Sequence, residues 1–422
     1  MHWYRQIRNS VPGLCVMAVP VCAWNDFVCK AARLQFFETS KAKQGGHDTM
    51  KKVWKVLLWS FYFLWLGTHP TFDHDHVPWN AETHPAECAL QGQPLAAGHF
   101  AVLWLIKGDL EYFAKNLGLR HFNSIDLCDF CAASRHGPES MWPTNFVATA
   151  EWKRRLTSRP QWRLQNPDMH HIFAHFPFLT NQNVAPDELH IAHLGTSMYM
   201  LGSALFLLAY RKLAGSPEDN TRRIWALICE FYTANASTNQ YSNLLLSFFT
   251  DPANPGQHYP KLKGRGGEVK HLGPAVLYAW VQLIAEQSEQ DQWVISALQA
   301  QCRISEVLDE DSHALFLTPQ SWASLIGAID QFLLHYNRLA RWADMNDLLL
   351  FNAPAKFRWL WHFGQAAKYC HPRRGACWTD EGFVGQIKNV ARRCSAGTKL
   401  HAIANKVLEK HTFGTHILHA TM

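Results

Sequence analysis

Four groups of residues in this 422-residue chain have the types and spacing to do chemistry. Asp109 closes the apolar run "HFAVLWLIKGD", at the place where an open α/β sheet presents its ligand sites. A carboxylate there has rigid support and could hold a divalent cation, or it could cap the helix that "LEYFAKNLG" begins. Cys128 and Cys131 form a C-x-x-C pair, the spacing of half a tetrahedral zinc site. His170, His171, His175 and His190 are candidates to complete it, and two buried thiols are the alternative. Asp187 and His190 lie three apart in "DELHIAHLG", on one helical face. They could bind a metal together, or the Asp could orient the His. A capped helix with a satisfied core histidine is the plainer reading. Glu381 opens the predicted helix "WTDEGFVGQIKNVARRC", followed by Lys388, Arg392 and Arg393. A carboxylate beside such a basic run is how a nuclease could hold a metal next to a phosphate backbone. An acid at a helix start also suits the helix dipole.

The elements that must position these groups fall into two styles. Residues 53–66, "VWKVLLWSFYFLWL", are rich in aromatic and branched residues and are predicted as a buried strand. Residues 99–107 are a second buried strand, and 110–118 a short helix that Gly118 ends. Residues 150–186 are irregular, aromatic and basic. From Asp187 onward the apolar spacing predicts helices over 188–213, 221–236, 268–287, 290–308, 318–345, 355–370, 379–394 and 399–410. Ile191–Tyr210 holds no Asp, Glu, Lys or Arg and is nearly long enough to span a bilayer. Its His193, Thr196 and Ser197 favour a buried core helix instead.

Composition sets outer bounds. With 48% apolar and 18% charged residues, the chain can bury a sizeable core, as one large domain with an insertion or as two domains. The net charge is +6, but residues 351–422 alone carry eleven Lys/Arg against three acids. Such an end suits a polyanionic partner, or is a solvated surface. The eleven cysteines are scattered apart from the C-x-x-C pair, which suits a reducing compartment better than a disulfide framework. The start, "MHWYRQIRNSVPGLCVMAVPVCAW", is a poor secretory leader because Pro12, Gly13 and Pro20 interrupt it.

The order of these groups carries a resemblance. It runs strand-end Asp, C-x-x-C, D-x-x-H, a long helical block, then an acid on a basic helix. This resembles the eukaryotic cut-and-paste DDE/D DNA transposases with an RNase H-like core, nearest to the CACTA-like group and its relatives. "IKGDLEYFAKNLGL", "CDFC", "PDELHIAHLG" and "KFRWLWHFGQ" followed by "DEGFVGQIKNVARRCSAGT" are the matching segments, over about residues 53–415. The resemblance implies Asp109 and Glu381 as catalytic acids on Mg²⁺ or Mn²⁺. It makes Asp187 and His190 a polar anchor beneath them, where core meets insertion. Cys128 and Cys131 are the candidate Zn²⁺ ligands.

The expected fold class is α/β with a mainly α insertion, an RNase H-like core interrupted by a large helical domain. Residues 1–50 would be a poorly defined N-terminal segment, with 51–190 the core strands and C-x-x-C loop. Residues 191–350 would be the insertion, and 351–422 the basic helices that complete the core. The family's first acid lies on the first strand in an Asp-Gly context, and the chain holds no Asp-Gly; Asp26, Asp73 and Asp75 lack that setting. The N-terminus is therefore expected to be truncated or replaced, and activity to be weak or lost. The expected partner is DNA, through Arg154, Arg155, Arg373, Arg374, Lys388, Arg392 and Arg393. A nuclear location and a homodimer go with that expectation; a small-molecule substrate and a membrane do not. A non-catalytic nucleic-acid-binding protein and a helical scaffold or membrane-associated protein are the competing classes.

Overall fold

A computed structural model describes residues 14–20, 46–95, 99–121, 124, 128–166, 171–176, 178–310, 312–395 and 397, and then 402, 406, 407, 409 and 410. Some side chains within helices and strands lie outside this description, those of Leu14–Pro20, Glu381 and Lys388 among them. The protein is mostly helical, with one small parallel sheet.

The sheet has the order β1 (Leu14–Pro20), β2 (Phe100–Lys107), β3 (Val184–Ala185). β1 runs parallel to β2 from Leu14↔Phe100 to Pro20↔Lys107, and β3 pairs with Ile106 and Lys107. Strand β1 lies inside the segment expected to be poorly defined. It was hidden in the sequence because its seven residues sit between Pro12-Gly13 and a terminal Pro20. On β2, Ala101, Leu103 and Leu105 are buried at alternate positions, and Ile106 is buried on the opposite face.

The expected strand at 53–66 is not a strand. It belongs to helix α1 (Gly46–Leu66), which packs on β2. Trp54, Leu58 and Phe61 are buried at helical intervals, while Tyr62, Trp65 and Leu66 are exposed. Aromatic and branched residues favour strands only where a pleated surface receives them. Here the period of the buried set decided the outcome.

After the short helix α2 (Pro85–Leu90) and β2 comes α3 (Leu110–Leu117). As expected, α3 ends on Gly118, in the left-handed region at φ 70°. The irregular stretch holds α4 (Arg159–Gln165) and α5 (His171–His175). The chain then enters one long helix, Leu189–Lys212, whose two ends are π-helical. It is apolar and long enough to cross a membrane, yet 89% of its most apolar window is buried inside the protein. A Cβ at Gly202 would meet the backbone N of Leu262 at 2.8 Å, so only glycine lets that segment approach. Leu262 N–H donates there to Met198 O.

Around this helix lie α6 (Pro217–Ala234), α7 (Gly266–Leu283), α8 (Glu289–Asp309) and α9 (Pro319–Met345). Ser216, Ser288 and Thr318 cap three of them, each accepting a backbone N–H three residues on. α10 (Lys356–Ala366) packs between α9 and the π-helical turn at Leu189–Thr196. α11 (Trp378–Ser395) follows. Only scattered residues of the predicted 399–410 helix are described. One continuous hydrophobic core runs from Trp54 to Ala367, so the helical block and the sheet share an interior.

Candidate metal centre and acid junction

The sulfurs of Cys128 and Cys131 and a ring nitrogen of His362 all lie within 4.8 Å of one another. His362 sits on α10, and its Nε2 is 3.5 Å from Cys128 Sγ. The three residues are 4%, 2% and 3% exposed, so solvent does not compete for these donors. The loop is shaped to present them. Phe130 N–H points at Cys128 Sγ at 3.4 Å, and Asp129 turns the other way. The Asp129 carboxylate accepts from Arg120 N–H and Trp162 Nε1, at 2.8 and 3.0 Å. Rings of Phe130, Trp152 and Trp361 pack around the imidazole.

Arg358 lies one turn before His362, on the same helical face and 2% exposed. Its Nε and Nη1 have no hydrogen-bond partner among the described residues. Burial pushes the Cys128 thiol up, but the hydrogen bond with Cys131 and the charges of His362 and Arg358 bring it well below the usual thiol range. Burial and the neighbouring Cys128 push Cys131 well above it. Two thiols and an imidazole, one thiol already poised to ionise, are a soft donor set that could bind a metal such as zinc.

Sequence reasoning found the two cysteines and missed His362. Of the histidines considered, His190 is held by Asp187 instead. His170 lies outside the described residues, as do the side chains of His171 and His175. The only signal for His362 was a lone histidine in the apolar helix "FRWLWHFG", and no local pattern links it to a loop 234 residues earlier.

A second polar cluster gathers around Asp187, which is fully buried. Its Oδ1 accepts Leu189 N–H at 3.2 Å and Cys377 N–H at 2.8 Å. Its Oδ2 accepts His190 N–H at 3.0 Å and pairs with His190 Nδ1. Asp187 thus caps its helix, orients His190 and also ties down the residue before α11. Glu188, equally buried, lies 3.2 Å from His193 Nε2 and 3.4 Å from Arg373 Nε. Burial raises its carboxyl, but the His193 bond and the charges of His193, Arg373 and Lys270 outweigh burial and hold it below the usual carboxylate range. Lys270 pairs with Asp309 at 2.8 Å, and burial, helped by the Arg373 charge, pushes its ammonium down to about 8. The His193 ring lies against Trp378, the first residue of α11.

Asp109 stands where the sequence placed it, just past β2. Its Oδ1 accepts Tyr112 N–H at 2.5 Å as the cap of α3, and no hydrogen bond to Oδ2 occurs among the described residues. Lys356 reaches inward and donates to Leu194 O at 3.1 Å. Burial lowers its ammonium, while the charges of Asp187 and Asp109 act in the opposite sense. Glu381 is by its backbone the fourth residue of α11, and its side chain is outside the description.

The basic residues divide. Arg154, Arg392 and Arg393 are exposed, and Arg155 is exposed beside Glu151. Arg373 is held by Glu188 and Asp309, and Arg374 by the carbonyls of His313 and Ala314. The Lys388 side chain lies outside the description. No protein-family model, curated protein or solved structure matches the chain.

Proposed function

We propose that the chain is a transposon-derived, DDE/D transposase-like protein that binds DNA and acts in the nucleus. In this reading β1 and β2 belong to an RNase H-like core, and the helices from Leu189 to Met345 form its insertion. The bond from Cys377 N–H to Asp187 is the observation that carries it. It joins the D-x-x-H segment to the residue four before Glu381, and Lys356 lies within the fields of both Asp187 and Asp109. Two segments far apart in sequence thus meet, which supports the reading.

Asp109 Oδ2 and the Glu381 carboxylate are the hard oxygen donors that would hold Mg²⁺ or Mn²⁺, and Oδ2 is open to that use because the cap occupies Oδ1. Bound there, such an ion would activate a nucleophile and stabilise the leaving oxygen of a phosphodiester. Lys356 would supply fixed positive charge close to Asp109, and the Asp187–Cys377 bond would fix where α11 begins. The acid set of this proposal is Asp109 and Glu381 alone.

The test is Mn²⁺-dependent nicking of supercoiled DNA by wild type, Asp109→Asn and Glu381→Gln. Asn caps a helix about as well as Asp, so the first change removes a metal donor and keeps the fold. Nicking by wild type that both substitutions abolish supports the proposal. Binding without nicking supports the second reading, a non-catalytic nucleic-acid-binding protein, which the use of Asp109 as a cap favours.

A further inference from the structure

The segment Trp152–Thr157 is braced from both sides by the Cys128/Cys131/His362 cluster. Toward the loop, Leu156 forms an antiparallel bridge with Cys131 itself. Ala132 N–H donates to Arg155 O at 3.0 Å, and Thr157 N–H donates to Phe130 O at 2.9 Å. Toward α10, the Trp152 ring packs 6.0 Å from His362 and 5.2 Å from Trp361, fully buried. Lys153 turns inward as well, to Phe146 O and Asp330 at 3.0 and 2.7 Å. Between these anchors Arg154, Arg155 and Leu156 face solvent, and Arg159 follows, exposed, at the start of α4. Glu151 neutralises part of Arg155, while Arg159 Nε donates to the neutral Gln182.

We infer that a metal held by Cys128, Cys131 and His362 sets the shape of the Arg154–Arg159 segment as a contact surface for the phosphate backbone of duplex DNA. Drawing the two sulfurs and the imidazole onto one ion fixes the spacing of the loop and α10. The segment touches both parts, so its backbone is fixed with them. Arginines on a fixed backbone lose less freedom on meeting a phosphate than arginines on a mobile one. The inference rests on the DNA-binding reading above, and the experiment separates the two.

Binding of a mixed-sequence duplex is measured by fluorescence anisotropy against salt, with Zn²⁺-loaded and metal-stripped protein. In the loaded protein, Arg154→Ala with Arg155→Ala is expected to lower the salt slope by about 1–2, since each phosphate contact contributes ~0.9. After stripping, the same pair of substitutions is expected to change nothing, because the contacts are already lost. Arg392→Ala with Arg393→Ala, on a helix that the cluster does not brace, should have the same effect in both states. If both pairs fall silent on stripping, the metal merely holds up the whole fold and the inference is overturned. It is overturned too if the Arg154/Arg155 effect survives stripping. Should loaded wild type bind no DNA, the DNA reading fails by itself. Amide exchange at Ala132 and Thr157 then still reads the brace: stripping is expected to speed both at least tenfold, and unchanged exchange sinks it.

Discussion

The cysteine–histidine cluster and the acid junction are both buried, both polar, and both close the first half of the chain onto residues 356–378. They differ in what their polar atoms already do. In the cluster, two sulfurs and an imidazole converge on one point, and Arg358 stands by with Nε and Nη1 lacking acceptors among the described residues. At the junction, Asp187 takes three backbone N–H groups and an imidazole, and Glu188 faces a histidine and an arginine. Soft donors that converge on one point can receive an ion. A carboxylate surrounded by N–H groups and cations is a fastener. Burial and perturbed acidity mark both regions, so those properties alone do not separate a binding site from architecture.

The sharpest way to break this contrast is to offer zinc to both. The protein is expected to take up one Zn²⁺ through the cluster. Cys131→Ser should abolish that uptake and lower stability by about 5 kcal/mol, less than the ~10–16 kcal/mol that zinc gives small fingers because a large core survives. Metal analysis and thermal unfolding with and without chelator check it. Asp187→Asn should leave the stoichiometry at one. Loss of zinc from Asp187→Asn, or its retention in Cys131→Ser, would reverse the assignment of receptor and fastener.

A smaller effect is expected at Glu188. Glu188→Ala leaves His193 without its carboxylate and Arg373 with Asp309 alone, beside a cavity, and should cost about 3 kcal/mol, as removing one member of a buried pair does. Its acidity gives a second readout. The folded-state carboxyl is held below its ordinary value of 4.5, so the unfolded chain binds the proton more readily. Its contribution is therefore present above about pH 4.5 and is lost as pH falls through the lowered value. Glu188→Gln should flatten that acid limb in urea titrations carried downward in pH from the ordinary value of 4.5. An unchanged limb would mean that Glu188 is not the fastener its neighbours suggest.

How much of this was written in the sequence depends on distance along the chain. The helices after Asp187 were legible because their spacing and caps are local: Ser216-Pro217 and Thr318-Pro319 open α6 and α9 directly. Gly118 was legible for the same reason. Residues 53–66 misled because composition favoured a strand while the buried period, set by β2, favoured a helix. Asp109, Cys128, Cys131, Asp187 and His190 stood out as polar residues in apolar company. Their partners did not. His362 and Cys377 lie 234 and 190 residues from the atoms they meet, and no local pattern encodes such a closure. The basic residues divide for the same reason: Arg373 and Arg374 look like Arg392 and Arg393 in sequence, and tertiary contacts engage the first pair.

The smallest effect concerns Asp109, where receptor and fastener meet in one side chain. As a cap it accepts a single N–H, that of Tyr112, so Asp109→Ala should cost only about 1 kcal/mol, and Asp109→Asn a few tenths. Thermal unfolding of the two variants measures this, and Lys356 gives the comparison its edge. Burial, helped by the Lys261 charge, lowers the Lys356 ammonium, and the charges of Asp187 and Asp109 offset part of that. Removing the Asp109 charge should therefore lower the Lys356 ammonium further in both variants, whereas only Asp109→Ala removes the cap. Equal loss of stability in the two variants would mean that the charge beside Lys356 matters more than the bond to Tyr112. Asp109 would then belong with the cations of the junction and not with the helix it opens.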